Sequence, residues 1–583
     1  MAKRKNLQKA LESAVRCFQA GDLGAAANHC NTVLKAVPGE SNALHVLGAV
    51  RLRQNDPQTA IRLLDQARKA EPRNAEIMIN LGAAYRAAGQ AEKAAEVLHD
   101  AVRRVPTNPS AHLNLANALA TAGNAAAAIK SYRQVLALVP GHTGALNELA
   151  RTLSTIGDVD AAIAEYENLD ALAPDIPETL NALGALHAGQ SRLEIAETYF
   201  RRALGKAPND TDVAANLGNV LAKTFRTDEA LTLYSGALTA TPDDPDLLCN
   251  VGNAISHRGD HEGAAQHYRR ALEIDAGHID SHAGLANNLL ADGKYTEGWT
   301  HFLHRTSTRA IAGQLDRTPF AADLRGQRLF VFADQGLGDQ IFFARFLPAL
   351  RERGAHITYR PDPRIADMLR RADIADEVTT QAPPTNGDRA VSVGDLPYLL
   401  GRTDNTPLPP PFDIPVLPDR EAALRDTLTD FGPAPWTGVT WRAGTPNVRQ
   451  ALLKEAPAAL LASALRDIPG SVVVVQRDPA DGEIARFEAA LGRPVLKMSH
   501  VNADIEDLLA ISGLLDTYAG VSNTKTHLRA ARGKVSDVIV PSPAEFRWMN
   551  EGDTSPWFPG CRVFRQSADG AWPQAFERLS MFL

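Results

Sequence analysis

Proline stands at Pro38, Pro72, Pro106, Pro140, Pro174, Pro208 and Pro242, always 34 residues apart, and Ala276 fills the next slot. A constant interval of this length admits only an architecture that repeats in register, because proline ends a helix and does so here at one fixed phase. A small residue lies 24 positions before each proline from Pro72 to Pro242 and before Ala276 (Gly48, Gly82, Ala116, Ala150, Gly184, Gly218, Gly252). A second small column lies 12 positions before the proline slot, from Ala26 and Ala60 to Ala230 and Ala264. Small columns at these offsets predict two antiparallel helices per unit that approach closely, the second ending at the proline.

This pattern resembles the tetratricopeptide repeat. Eight units are expected from about residue 5 to 276, followed by a ninth helix at 281–290 and a terminal piece, Tyr295 to Trp299, that covers the last apolar face. The turn inside each unit carries Gly or Asn (Gly21, Asn55, Gly89, Gly123, Gly157, Gly259, Gly293), suited to a left-handed helix terminus. Ser191 and Phe225 interrupt that column.

A second ladder is superimposed on the packing columns. Asn80, Asn114, Asn216 and Asn250 share one repeat position, and Asn117, Asn219, Asn253 and Asn287 lie three residues after the same column or its equivalent, on one face of the first helix. An amide offers donors and an acceptor, which suits the main chain of an extended peptide whatever its side chains. The ladder resembles that of the O-linked N-acetylglucosamine transferases, a resemblance that implies acceptor binding by these eight residues. It breaks at Glu148 and Ala182.

The 583 residues exceed a single core, so several domains are expected. A formal net charge of −7 disfavours a nucleic-acid binder driven by counterion release. Cys17, Cys30, Cys249 and Cys561 show no paired spacing and read as reduced. Lys3, Arg4 and Lys5 precede no apolar stretch of signal-peptide length, and no segment has the roughly 20 apolar residues of a membrane span. A cytoplasmic chain without integral membrane association is the expectation.

From Arg328 onward, short β-branched or aromatic runs alternate with helical stretches, the pattern of parallel α/β units. Strands are expected at 329–333, 356–360, 390–393, 437–441, 471–476, 517–519 and 535–540. A proline-rich break at 406–418 divides the region. The expected organisation is an all-α solenoid over 1–305, a linker over 306–327, an acceptor-side lobe over 328–405, the proline-rich linker, and a nucleotide-sugar lobe over 419–583. Two Rossmann-like lobes of this kind make the arrangement known as GT-B.

The sharpest chemical signal is Asp334-Gln335-Gly336-Leu337-Gly338-Asp339-Gln340, after the first strand and before a helix expected near Ile341. Glycines at such a junction let backbone N–H groups approach an anionic ligand. It is no dinucleotide fingerprint, since the third glycine of that motif would fall at Ile341. Residues 328–352 resemble the opening of the bacterial repeat-linked glycosyltransferases related to heptosyltransferases. That resemblance implies that Asp339 is the base that removes the acceptor hydroxyl proton, in an inverting reaction; Asp334 is the weaker candidate.

In the second lobe the expected donor-binding residues are Arg442, Gln476, Ser522, Asn523, Thr524, Lys525 and His527, with Gly336 and Gly338 from the first. Arg449 and Lys454 are further basic residues nearby. Hydroxyls and a lysine at a strand-to-helix turn suit phosphate. Ser522-Asn523 replaces the carboxylate-bearing pair of heptosyltransferase relatives, which leaves donor identity open. The segments 545–549 and 555–559 also resemble the repeat-linked group, and their aromatics are read as packing.

His278, Asp280 and His282 are read as a solvated face, no zinc spacing occurs, and the GxSxG of hydrolases is absent. The reading is therefore a metal-independent protein O-glycosyltransferase without a cofactor, using a nucleotide sugar as co-substrate. The resemblance further implies flagellin as acceptor and a nonulosonic acid as a possible donor sugar. The alternatives are a non-catalytic scaffold with a degenerate transferase domain, and a transferase acting on a lipid-linked or polysaccharide acceptor.

Overall fold

The structure is a computed structural model and describes residues 2–381, 389–444 and 454–583. Arg449 lies outside the described residues. Contacts divide the chain into two compact units, Met1–Pro208 and Asn209–Leu583.

The first unit holds twelve helices, from Ala2–Gln19 to Leu193–Lys206. Their ends follow from the sequence. Asp22 accepts a hydrogen bond from Ala25 N at 2.8 Å to begin one helix, and Asn108 accepts from Ser110 and Ala111 with Pro109 at the first helical position of another. The small columns are where side chains of the neighbouring helix enter. A Cβ built on Gly82 would lie 2.3 Å from Leu98 Cγ, and one on Gly184 would lie 2.6 Å from Phe200 Cε1. Ser191 keeps the left-handed turn of its unit at φ 60° without being glycine.

The second unit begins with six more helices, from Thr211–Lys223 to Tyr295–Phe302. Phe225 holds φ 60° in its turn, and its ring occupies the space that a Cβ on Gly570 would need, at 2.5 Å. The turn column therefore keeps its geometry at both positions where its residue type changes.

Eleven strands follow: β1 (Arg328–Phe332), β2 (His356–Arg360), β3 (Glu377–Val378), β4 (Arg389–Ser392), β5 (Trp436–Thr440), β6 (Ser471–Val474), β7 (Leu496–Lys497), β8 (Thr517–Val521), β9 (Asp537–Val540), β10 (Thr554–Ser555) and β11 (Phe558–Arg565). The first sheet runs β3-β2-β1-β4, with every described pair parallel. The second runs β10-β11-β9-β8-β5-β6-β7, parallel except for the β10–β11 pair. Each order reverses beside its first strand, between β1 and β4 and between β5 and β8. At such a reversal the connections leave in opposite directions and a crevice opens outside the carboxyl ends of the strands.

One apolar core takes in Leu329 and Val331 of the first sheet, Val473 and Val538 of the second, and Leu290, Tyr295 and Trp299 of the last helices. Trp299 is 1% exposed and meets Phe343, Phe546 and Trp557 edge-on, with ring centroids 6.2, 5.6 and 6.0 Å away. Sequence reasoning drew its boundary at residue 305. The contacts draw theirs at 208, and the final helices share one apolar core with the sheets.

Candidate functional site

At the end of β1 the chain turns through Gln335, at φ 62°, into a helix that begins at Leu337 rather than near Ile341. Asp339 thus sits in the first turn of the helix, where its Oδ2 accepts from Gly336 N at 3.3 Å. At the end of β8, Ser522 and Asn523 lead into the helix Thr524–Ala530. The two strand-to-helix turns meet at Gly338. A Cβ there would lie 2.9 Å from His527 Cδ2 and 3.4 Å from Thr524 Cα, so only glycine lets the turns approach this closely.

A chain of charges crosses this junction. Arg547 pairs with both Asp339 and Glu545, and Lys454 pairs with Glu545. Burial alone would push the Glu545 carboxyl up, but Lys454 and Arg547 outweigh it and hold Glu545 far below the usual carboxylate range. The Arg547 guanidinium also lies 4.5 Å from the centre of the Phe342 ring. His527 is buried, with Nδ1 unpartnered among the described residues. Burial first, and the cations Arg547, Arg345 and Lys454 after it, keep its imidazole neutral. Burial together with the Arg477 charge pushes the Lys525 ammonium down to about 7. Among the described residues no carboxylate pairs with it. Ser522 lines a small pocket with Lys454, Pro543, Glu545 and Trp548.

Three residues expected on the donor side are occupied in holding the frame. Arg442 pairs with Glu483 at 2.8 Å. Gln476 accepts from Trp441 N and Arg442 N at 3.1 and 3.0 Å and donates to Arg442 O and Arg477 O at 3.1 and 3.0 Å, which uses its whole amide on backbone. Asn523 accepts from Lys525 N at 2.9 Å and donates to Thr440 Oγ1 and Val521 O at 3.0 and 2.9 Å. Of the other residues expected there, Ser522 lines the small pocket, and Thr524, Lys525 and His527 follow it in the first turns of the helix, Lys525 and His527 buried. Asp334, the weaker base candidate, is buried against Arg305.

The asparagine ladder separates into parts with different partners. Asn117, Asn219 and Asn253 each accept, through Oδ1, the hydroxyl of the tyrosine 15 residues on (Tyr132, Tyr234, Tyr268), at 2.7, 2.7 and 2.8 Å. Packing therefore accounts for these three asparagines of the ladder. The signal was in the sequence: where the later position is Leu64, Leu98 or Phe200, the earlier one is Ala49, Ala83 or Ala185. Asn80 meets His45 Nε2 at 2.6 Å, and Asn114 donates to Ser110 O of its own helix at 2.9 Å. Asn216 has an interaction within the protein as well.

Asn287 behaves differently again. Its Nδ2 donates to Ala544 O at 3.0 Å while Phe546 N donates to its Oδ1 at 2.9 Å, so one amide grips the main chain of an irregular segment at two points. Asn219, Asn250, Asn253 and Asn287 all line a cavity of about 570 Å³ in the second unit, and Pro543 and Phe546 close one end of it. Pro543 also lines the Ser522 pocket.

His282 is buried rather than solvated, stacked on His304 with ring centroids 3.7 Å apart. Among the described residues, no group of three or more His, Cys, Asp or Glu side chains could hold a metal ion, and no helix is long and apolar enough to cross a membrane.

Comparison with known proteins bears on the helical part. Models of the tetratricopeptide repeat match residues 45–109, 84–143, 119–186, 181–245 and 215–279. Protein FlbA of Caulobacter vibrioides is 28% identical over 326 residues, covering 51% of this chain and 54% of that protein, so the chain spans about half the length of this curated relative. Among solved structures, MamA is 27% identical over 28% of this chain and 95% of its own, with a TM-score of 0.27. YrrB, described as a repeat protein with an unusual peptide-binding site, is 21% identical over 32% of this chain and 96% of its own, with a TM-score of 0.29. Residues 45–279 are an array of tetratricopeptide repeats, the kind of surface that binds protein partners.

Proposed function

We propose that this chain is a protein O-glycosyltransferase in which the repeats hold a protein acceptor and the two sheets form a GT-B cleft for a nucleotide sugar. The observation that carries the reading is Lys525. A buried lysine without a carboxylate partner among the described residues, beside the switch point of an open parallel sheet, is arranged for an anion, and a sugar nucleotide presents its phosphate there. Gly338 brings Asp339 to the same junction.

In the proposed reaction the acceptor hydroxyl oxygen forms a bond to the anomeric carbon, and the bond from that carbon to the phosphate oxygen breaks. The hydroxyl proton passes to Asp339, and the leaving phosphate keeps the electron pair beside Lys525. Asp339 must first exchange its Arg547 contact for the acceptor hydroxyl. Arg547 retains Glu545 when it does. No step calls on a metal, since Lys525 supplies the positive charge at the phosphate.

The acceptor reading rests on Asn287, whose grip on residues 544 and 546 is the contact an extended peptide would receive from such an amide. Flagellin is the first acceptor to test, and a nonulosonic acid the first sugar, on the resemblance of residues 328–352 to the repeat-linked transferases. Intact-mass spectrometry of flagellin and other abundant proteins, from cells with and without this chain, tests the reading. A sugar-sized mass difference that disappears with Asp339→Asn is expected; identical masses in all strains would rule it out.

A second reading, a scaffold with a degenerate transferase domain, is favoured by one observation. Asp339 is paired with Arg547, and Arg442, Gln476 and Asn523 are bound to the protein itself. In that case no nucleotide sugar would bind the purified chain.

A further inference from the structure

The crevice of the first sheet is already filled. Arg305, three residues beyond the helix Tyr295–Phe302, extends its guanidinium to the carboxyl ends of β1 and β4. Its Nε donates to Asp334 Oδ2 at 2.6 Å, its Nη1 to Asp395 Oδ1 at 2.6 Å and Phe302 O at 3.0 Å, and its Nη2 to Ser392 Oγ at 3.0 Å. Ser392 in turn donates to Asp334 Oδ2 at 2.8 Å, and Arg317 reaches the other oxygen of Asp395 at 3.1 Å. Both aspartates are 1% exposed. The fit is close: a Cβ on Gly394 would lie 2.6 Å from Arg305 Nη2 and 2.8 Å from Asp334 Oδ2.

Asp334 opens the turn 334–336 that leads into the helix carrying Asp339. Beyond it, Gln335 takes a left-handed backbone conformation, which persists only where the surroundings hold it. Within the first sheet's own residues, the recorded side-chain contact of Asp339 is with Gly336 N. The loop is therefore fixed at its start by Arg305, a residue contributed by the segment that ends the repeats and one that also lines the 570 Å³ cavity.

The geometry points to Arg305 as a positioning residue for Asp339: its two-carboxylate grip sets the turn 334–336, and with it the start of the helix that presents the base. This rests on the reading of Asp339 as the base. A planar fork can hold Asp334, Asp395 and Ser392 at once, whereas an ammonium is a point charge that serves one of them well.

Arg305→Lys in the full chain is the test, read by hydrogen exchange and by sugar transfer. Amides 335–340 are expected to exchange about tenfold faster or more, while those of β8 stay unchanged. Transfer kcat should fall by about tenfold to a hundredfold with the nucleotide-sugar KM within about twofold, because displacement of the base affects the reacting geometry and not donor binding. An unchanged loop, or exchange raised equally across both sheets, overturns the proposal. So does a loss carried by KM alone. Should Arg305→Lys fail to fold, Ser392→Ala, which removes a contact to both Arg305 and Asp334, is read in the same way. The exchange arm works whether or not the parent chain transfers sugar, so an inactive parent sinks the transferase reading and an unchanged loop sinks this one.

Discussion

Tyr268 donates its hydroxyl to Oδ1 of Asn253 across 2.8 Å, joining the second helix of one repeat to the first. The bond fixes which way the amide faces, since its oxygen is taken by the tyrosine and its N–H₂ group is turned to Cys249 Sγ of the same helix, 3.9 Å away. Asn219 and Tyr234 repeat the arrangement one unit earlier.

Tyr268→Phe should therefore cost about 0.5–1.5 kcal/mol of stability, and Asn253→Ala more, about 1–3 kcal/mol, because it strands a buried hydroxyl. The double variant should cost less than the sum of the two. Denaturant titration of the four proteins checks this; strict additivity would mean the bond contributes nothing.

Asp339→Asn keeps the shape of the side chain but removes the carboxylate proposed as the base. Transfer to the acceptor should drop about a hundredfold to ten thousandfold. The melting temperature should change little, because Arg547 keeps its pairing with Glu545. Transfer at the parental rate would remove Asp339 from the mechanism.

Gly338→Ala and Gly252→Ala test two close approaches of different kinds. The Cβ of the second would meet the Tyr268 ring at 2.6 Å, so a loss of about 1–3 kcal/mol is expected in thermal unfolding. The Cβ of the first would press on His527 at 2.9 Å and on the Thr524 backbone behind it, driving apart the two turns that form the cleft. Nucleotide affinity, measured by calorimetry, should fall with Gly338→Ala and stay at the parental value with Gly252→Ala.

The pH dependence of Lys525 runs in two directions. Its ammonium is held down to about 7 in the folded chain, by burial and then by Arg477. Between about 7 and the ordinary lysine range only the unfolded chain carries that proton, so the contribution of this residue to stability rises with pH across that window. Anion binding has the opposite sign, because it needs the charged form. Affinity for the nucleotide that binds best among UDP, ADP, GDP and CMP should fall above pH 7, by up to about tenfold per unit. Lys525→Met should weaken binding and flatten the profile; an unchanged profile would assign the phosphate to another group.

The repeats were legible because helix packing leaves a periodic record, with small residues where helices touch and proline where they stop. The glycine loop was legible for a similar reason, since a strand, a tight turn and a helix follow one another within a few residues. The charge chain at the cleft was not. Lys454, Glu545 and Arg547 come from segments distant from Asp339 in sequence, and a salt bridge between them leaves no spacing to read. The one clue was a Glu and an Arg set among the aromatics of residues 545–549, where burial would demand partners. Arg442, Gln476 and Asn523 have partners within the protein that their spacing does not reveal, because a residue fit to bind phosphate or ribose is equally fit to brace a strand end. Only the identity of the nearest partner, Glu483 or a backbone carbonyl, separates the two.

Trp299 carries a consequence for how such chains can change over time. Within residues 1–208 each helix touches mainly its neighbours along the chain, so a whole 34-residue unit can be gained or lost there without breaking the packing of the rest. The units from 209 onward have no such freedom. Trp299 in their final helix is packed against Phe343, Phe546 and Trp557, so a shift of one helical turn there would break three ring contacts with the sheet region. Change in repeat number is therefore expected ahead of residue 209 rather than behind it, where the helices share one apolar core with the sheets.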